Sequence, residues 1–283
     1  MDLVTDHYSI TENAMSKTVL VLAPHPDDAE FYAGGTIAKE IQQGSRVVII
    51  IATDGRCGSF EYDSQTLSSM RVGEAQRAAQ VLGAERPIML GYPDLELDTL
   101  PPGKLREQFV RLIRQHKPDM VIAEDPFARY EIHPDHRAVA WASMEAVNYA
   151  SLPLWHPEHL AEGLEPHFTV EKLYYSEEPS STNHVIDITD TLDRKLQALA
   201  EHKSQISFLV EDVLRQAHIA GVDLGVIAGD AIGDPLAMVT FAIQSQAADI
   251  GQKIGVQFGE AYRYVRFHPY VENLITIQRR PNS

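Results

Sequence analysis

The sequence predicts an α/β fold: a Rossmann-like, doubly wound, mostly parallel sheet with additional helices and strands toward the C-terminus. Three observations carry this expectation. Apolar, β-branched runs of strand length recur at Thr18–Ala23, Arg46–Ala52, Pro87–Leu90 and Met120–Ala123. Between them lie longer segments with helical spacing, Phe31–Gln43, Leu67–Leu82 and Lys104–His116, and such alternation is the pattern of βαβ units. Gly44 and Gly83 close the first two helical segments, where a left-handed C-terminal cap is favoured.

Taken in order, residues 1–17 read as a polar N-terminal arm. The run Val19–Ala23 has the length and branching of a strand buried on both faces. Right-handed crossovers then place the first four strands in one sheet. After Arg137 a helix over Ala138–Tyr149 leads to a loop at 152–168 rich in Pro and His. Strands near Lys172–Ser176 and Val185–Ile188 precede a helix over Thr191–His202. Apolar spacing in 204–250 suggests helices, and Ala220–Asp234 (AGVDLGVIAGDAIGD) reads as a mobile loop. No internal repeat or domain linker interrupts the chain, so 1–283 reads as a single domain.

The 283 residues suffice for a large core, and 44% hydrophobic with 23% charged residues is an ordinary globular composition. A net charge of −16 argues against a nucleic-acid partner, which needs clustered Lys and Arg. Cys57 alone supplies neither a disulfide nor a thiolate zinc site; it reads as a small loop residue. With no basic leader and no membrane-length apolar run, the expected location is cytoplasmic.

The first strand ends in His25, Pro26, Asp27 and Asp28, and about a hundred residues later comes Glu131–Arg137, EIHPDHR. A lone His-Pro-Asp reads as a helix cap. Two of them, both at predicted strand ends, read as a metal site, because chemistry in open α/β sheets gathers at the carboxyl ends of strands. Two imidazoles and one carboxylate leave a position open for water, the pattern of catalytic zinc. Adjacent Asp27 and Asp28 divide the work: one binds metal, the other faces water as general base. His133 and His136 divide likewise into one ligand and one free imidazole. Asp135 between them is suited to hold an imidazole in the right tautomer.

PHPDDAEFYAGGTI, the TDG turn, Arg71 and Glu74 on a helix, YPD and HPDHR together resemble the LmbE/PIG-L-like zinc-dependent N-deacetylases. The resemblance extends to Asp187–Gln205 and Gly259–Tyr270, and EDPFARYEIHPDHR and GQKIGVQFGEAYR are most similar to the diacetylchitobiose and N-acetylglucosamine deacetylase branch. It implies an LmbE-like fold and one Zn²⁺ per subunit, with Fe²⁺ or another divalent metal as substitutes. It further implies His25, Asp28 and His136 as ligands, Asp27 as base, and His133 as oxyanion-stabilising imidazole and acid. Arg71 and Asp94 are implied in the sugar pocket. Ala29-Glu30 departs from members that carry Glu directly after the second Asp, and marks the subfamily.

The function expected is removal of the N-acetyl group from N-acetylglucosamine or a short chitooligosaccharide. The alternative keeps the chemistry on a sugar–thiol precursor, a thiol conjugate, or an antibiotic or lipid-linked sugar. A nucleotide-binding Rossmann protein is disfavoured, since only Gly34-Gly35 stands where G-x-G-x-x-G is needed. Tyr262–Tyr270, aromatic and basic, is expected to close the site with His268 near the sugar, across a subunit contact of a homo-oligomer; an edge strand is the plainer expectation. His202 is expected to pack at a helix end, and His156, His159 and His167 to be solvated loop residues.

Overall fold

The structure, a computed structural model, describes residues 16–176, 182–225 and 233–278. Most of the expected N-terminal arm, and 226–232 of the expected loop at 220–234, lie outside the described residues. Strands β1 (Thr18–Ala23), β2 (Arg46–Thr53), β3 (Ile88–Tyr92), β4 (Met120–Glu124), β5 (Glu171–Tyr175), β6 (His184–Asp187) and β7 (Gly259–Val265) form one sheet. Their order is β3-β2-β1-β4-β5-β7-β6. The first five run parallel, while β7 is antiparallel to both β5 and β6.

Side-chain alternation along β1 sorts the core into two layers. Val19, Val21 and Ala23 pack with helices α1 (Asp28–Gln42) and α2 (Ser64–Leu82). Leu20 and Leu22 pack on the opposite face with α3 (Lys104–His116) and α4 (Pro134–Tyr149). Both sets are fully buried, which explains why β1 reads as an unbroken apolar run rather than an alternating one.

The direction in which strands are added across the sheet reverses between β1 and β4. The path β1 to β3 fills one side, whereas β4 and β5 continue on the other. The crevice above β1 and β4 is therefore the switch point at which α/β sheets bind ligands. Both His-Pro-Asp segments leave the sheet there.

Helices α1, α2 and α4 start earlier than the periodicity predicts, and in α2 and α4 a polar cap rather than an apolar residue opens the helix. Asp63 accepts from Gln65 N and Thr66 N to begin α2, and His133 accepts from Asp135 N to begin α4 with Pro134 in its first turn. Gly34 and Gly35 lie within α1, where an added Cβ would come within 2.9 Å of Lys195 Cγ and 2.8 Å of Ile188. They admit helix α6 (Leu192–Leu199) and the turn before it. After α6 follow α7 (Lys203–Ala220), α8 (Pro235–Gln252) and α9 (Pro269–Gln278), with the single turn α5 (Glu158–Ala161) earlier in the chain; α5 is numbered in chain order.

Of the segment expected as an edge strand or lid, Tyr262–Val265 lies instead in an interior strand, while His268 and Tyr270 beyond it are exposed. β7 pairs on both sides, and Tyr262 is fully buried with its hydroxyl on Thr36 Oγ1 and Glu260. Among the described residues no helix is long and apolar enough to cross a membrane.

Candidate metal and active site

Asp28 Oδ2 lies 3.2 Å from His25 Nδ1 and 3.6 Å from His136 Nε2, and the two nitrogens are 3.2 Å apart. A tetrahedral ion with bonds of about 2.0–2.1 Å holds its ligand atoms about 3.3 Å apart. The triangle fits such an ion without rearrangement. His25 follows β1, Asp28 opens α1, and His136 stands in the first turn of α4, so the triangle is set by backbone on both sides of the switch point.

Carboxylates hold the far nitrogen of each imidazole. His25 Nε2 is 3.1 Å from Asp94 Oδ1 and 3.3 Å from Asp135 Oδ2. His136 Nδ1 lies 3.1 Å from Glu124 Oε2 and 3.5 Å from Glu131, as ionic contacts without hydrogen-bond alignment. Such outer carboxylates fix tautomer and ring orientation in metal sites. Burial works against charge on both rings, yet the surrounding carboxylates draw both imidazoles far toward the protonated form. The same field attracts a divalent cation. Burial also opposes ionisation of Asp28, but His136 and His25 hold its carboxyl well below the usual range.

Asp27 takes a different direction from Asp28. Its Oδ1 accepts from Arg71 Nη2 at 2.9 Å, and its backbone sits at φ 142°, a region that side chains rarely occupy. Burial pushes its carboxyl up to about 6 against the pull of Arg71. A base near neutrality is matched to proton transfer at working pH.

Arg71 is buried at 2% exposure, and its donors meet Gly55 O and Pro26 O, each at 2.9 Å, as well as Asp27. The guanidinium thus clamps the turn that carries Asp27. Gly55 sits at φ +63°, and a Cβ there would come within 2.4 Å of Arg71 Nη1. Gly55→Ala is accordingly expected to lower turnover at least tenfold with metal content unchanged, since a small misplacement of a reacting group is costly; metal analysis beside kinetics checks it.

His133 is half-buried in the cavity, T-shaped against His25 with ring centroids 4.6 Å apart. Because Nδ1 accepts from Asp135 N, Nε2 carries the proton of the neutral ring. Burial, followed by His25 and His136, lowers its pKa, so the ring offers a neutral N–H donor. Asp135, fully buried, accepts from Leu95 N and Leu97 N and so ties the 94–97 loop to His25. Asp94 uses its second oxygen to accept from Cys57 N at 3.0 Å.

A cavity of about 460 Å³ covers these groups, within the range of small-molecule sites. It unites His25, Asp27, Asp28, Arg71, Asp94, His133 and His136. His268 is exposed at the start of α9 and is not among its lining residues. The far wall comes from α7, through Gln205, Phe208 and Leu209, none of which the sequence pattern marks as site residues. Gln205 donates to Gly58 O, and Glu74 caps α7 by accepting from Ser204 N and Oγ. His202 precedes α7, fully buried, 3.3 Å from Glu30.

Two of the loop histidines depart from the solvated state expected of them. His159 is fully buried against Glu107, and His167 Nε2 lies 2.8 Å from Pro118 O. Both partners come from α3 or the turn after it.

The PIG-L family, GlcNAc-PI de-N-acetylase, matches residues 20–147. Diacetylchitobiose deacetylase of Thermococcus kodakarensis is 37% identical over 192 residues, covering 67% of this chain and 70% of the relative. A probable N-acetyl-alpha-D-glucosaminyl L-malate deacetylase 2 of Bacillus anthracis is 29% identical, covering 70% and 85%. The solved N,N'-diacetylchitobiose deacetylase of Pyrococcus horikoshii superposes with a TM-score of 0.73 at 29% identity, over 91% of this chain and 89% of that one.

Proposed function

We propose a reaction from one premise: this chain belongs to the PIG-L de-N-acetylase family, whose members compared above are deacetylases. The reaction is hydrolysis of the N-acetyl group of N-acetylglucosamine or a short chitooligosaccharide such as diacetylchitobiose, with zinc as the metal. The observation that carries it is the triangle of His25, Asp28 and His136 with Asp27, in the same turn as Asp28, held in a different direction by Arg71.

A divalent ion held by His25, Asp28 and His136 supplies water of lowered pKa and polarises the acetyl carbonyl. Everything else falls to the chain. Asp27, with one oxygen fixed by Arg71, takes the proton of the attacking water on the other. His133 Nε2–H faces the cavity as donor to the oxygen that gains charge as water adds; one such donor is worth about 2.7–4 kcal/mol. The proton on Asp27 then passes to the departing amine. Phe208 and Tyr32 line the cavity, and their rings suit the apolar face of a pyranose. Asp94 and Arg71, bonded to protein, act by positioning His25 and Asp27.

The test is amine release, read with a fluorogenic amine reagent, from N-acetylglucosamine, diacetylchitobiose and N-acetylated sugar conjugates. Turnover of the first two is expected. Release from an acetamide conjugate but from neither of these sugars would overturn the substrate, and metal analysis of the purified chain decides zinc.

A further inference from the structure

The loop before β5 holds a third His-Pro-acid sequence, His156-Pro157-Glu158-His159, away from the cavity described above. Its two imidazoles are nearly parallel, with centroids 5.3 Å apart. The catalytic pair His25 and His136 stand at 5.1 Å, so the spacing is that of two rings able to share one ion. One ligand atom from each of His156, Glu158 and His159 lies within 4.8 Å of the others.

Each ring is held on one side only. His159 Nε2 is 2.8 Å from Glu107 Oε1, and Arg111 fixes that glutamate from the next turn of α3. His156 Nδ1 is 2.9 Å from Glu158 Oε1. The opposite nitrogens, His159 Nδ1 and His156 Nε2, are buried and have no hydrogen-bond partner among the described residues. A buried ring nitrogen without a partner carries an uncompensated loss of hydration, and His159 is fully buried. The carboxylate–imidazole arrangement of Glu107 and His159 is the one that orients metal-bound histidines. His156 also sits at φ +55°, a strained conformation for a non-glycine residue. The loop is held to this shape from below by Arg114, which donates to the carbonyls of Ala150, Leu152, Trp155 and His156.

We propose that His156, Glu158 and His159 form a second divalent-metal site that pins the loop between α4 and β5 to α3. Two imidazoles and a carboxylate select a borderline ion such as Zn²⁺ or Co²⁺ over Ca²⁺ or Mg²⁺. The chain then carries two ions rather than one.

The test separates this site from the catalytic one. Full-length chain is stripped with chelator, reloaded with Zn²⁺, desalted and measured by mass spectrometry for metal per chain. His136→Ala breaks the catalytic triangle and is expected to retain one equivalent. Adding His156→Asn to it should remove that equivalent; Asn suits the positive φ and leaves the Glu107–His159 contact intact, so the loop keeps its shape. Circular dichroism confirms folding of both. No metal in His136→Ala, or equal metal with and without His156→Asn, would overturn the proposal.

Discussion

Asp27→Asn is expected to lower kcat by about 10²–10⁴-fold, the usual worth of a positioned general base, with metal content unchanged. Asn is nearly isosteric, differs from the native residue only in its head group at the same unusual backbone, and still offers an oxygen to Arg71. What it lacks is basicity. The raised Asp27 pKa of about 6, caused first by burial, also gives the sign of the pH profile. Below about 6 the carboxyl is protonated and turnover falls; above it the base is available, and the Asn variant loses that acidic limb. Asp28→Ala has the opposite signature, because it removes a corner of the ligand triangle and with it the metal. Mass spectrometry of the two purified variants beside amine-release kinetics decides the assignment. An Asp27→Asn chain that came out metal-free while Asp28→Ala stayed loaded would reverse the two roles.

The largest loss of stability is expected from Glu260→Ala, about 3–5 kcal/mol, the range for breaking a buried ion pair by removing one partner. Glu260 is 4% exposed on β7 and takes Lys195 Nζ at 2.7 Å, from a lysine that is also 4% exposed. It further accepts from Gly35 N, Thr36 N, Thr36 Oγ1 and the Tyr262 hydroxyl. Alanine would leave an ammonium and several donors buried without a partner. Burial acts to raise the Glu260 pKa, but Lys195 and the donors of α1 prevail and lower it. The stabilisation is therefore complete above the unfolded value of about 4.3 and is lost as pH falls through the lower folded value. Thermal melts at pH 7 should show Glu260→Ala melting well below the parent. Between pH 4.5 and 3 the variant's remaining stability should fall less steeply than the parent's. A parent-like melting temperature would mean that the pair contributes nothing net.

The parts of the fold legible in sequence are those whose signal is local. β1 reads correctly because both of its faces are buried, so five consecutive apolar residues report it. His25, Asp27, Asp28, His133 and His136 read as a site because Pro and acidic residues at strand ends are a compact pattern. Illegible parts depend on distant partners. The role of Asp135 at His25 and Asp94 at the same ring is fixed by a contact between residues 110 and 69 positions from it. Tyr262 looks like surface because the hydroxyl that satisfies it belongs to Thr36, 226 positions away. His159 reads as solvated because Glu107, its cover, lies 52 positions back. The apolar spacing of α7 does report a helix, but not its place at the site: Ile206 and Val210 are buried while Phe208 and Leu209 line the cavity, and all four are apolar in sequence. Gly34-Gly35 is a weak match to a phosphate loop because these glycines serve the close approach of Lys195 and Ile188 instead.

The wall built by α7 gives the cavity two independent parents. The proposed ligands His25, Asp28 and His136, the proposed base Asp27 and His133 stand just beyond β1 and β4, while Gln205, Phe208 and Leu209 arrive from a helix held to that framework by its Glu74 cap and the Gln205–Gly58 bond. On the proposed reaction, bond cleavage and the choice of what is cleaved would be encoded in separate stretches of chain. A lineage that redraws α7 reshapes the room around the sugar while the machinery that splits the amide stays where the sheet puts it.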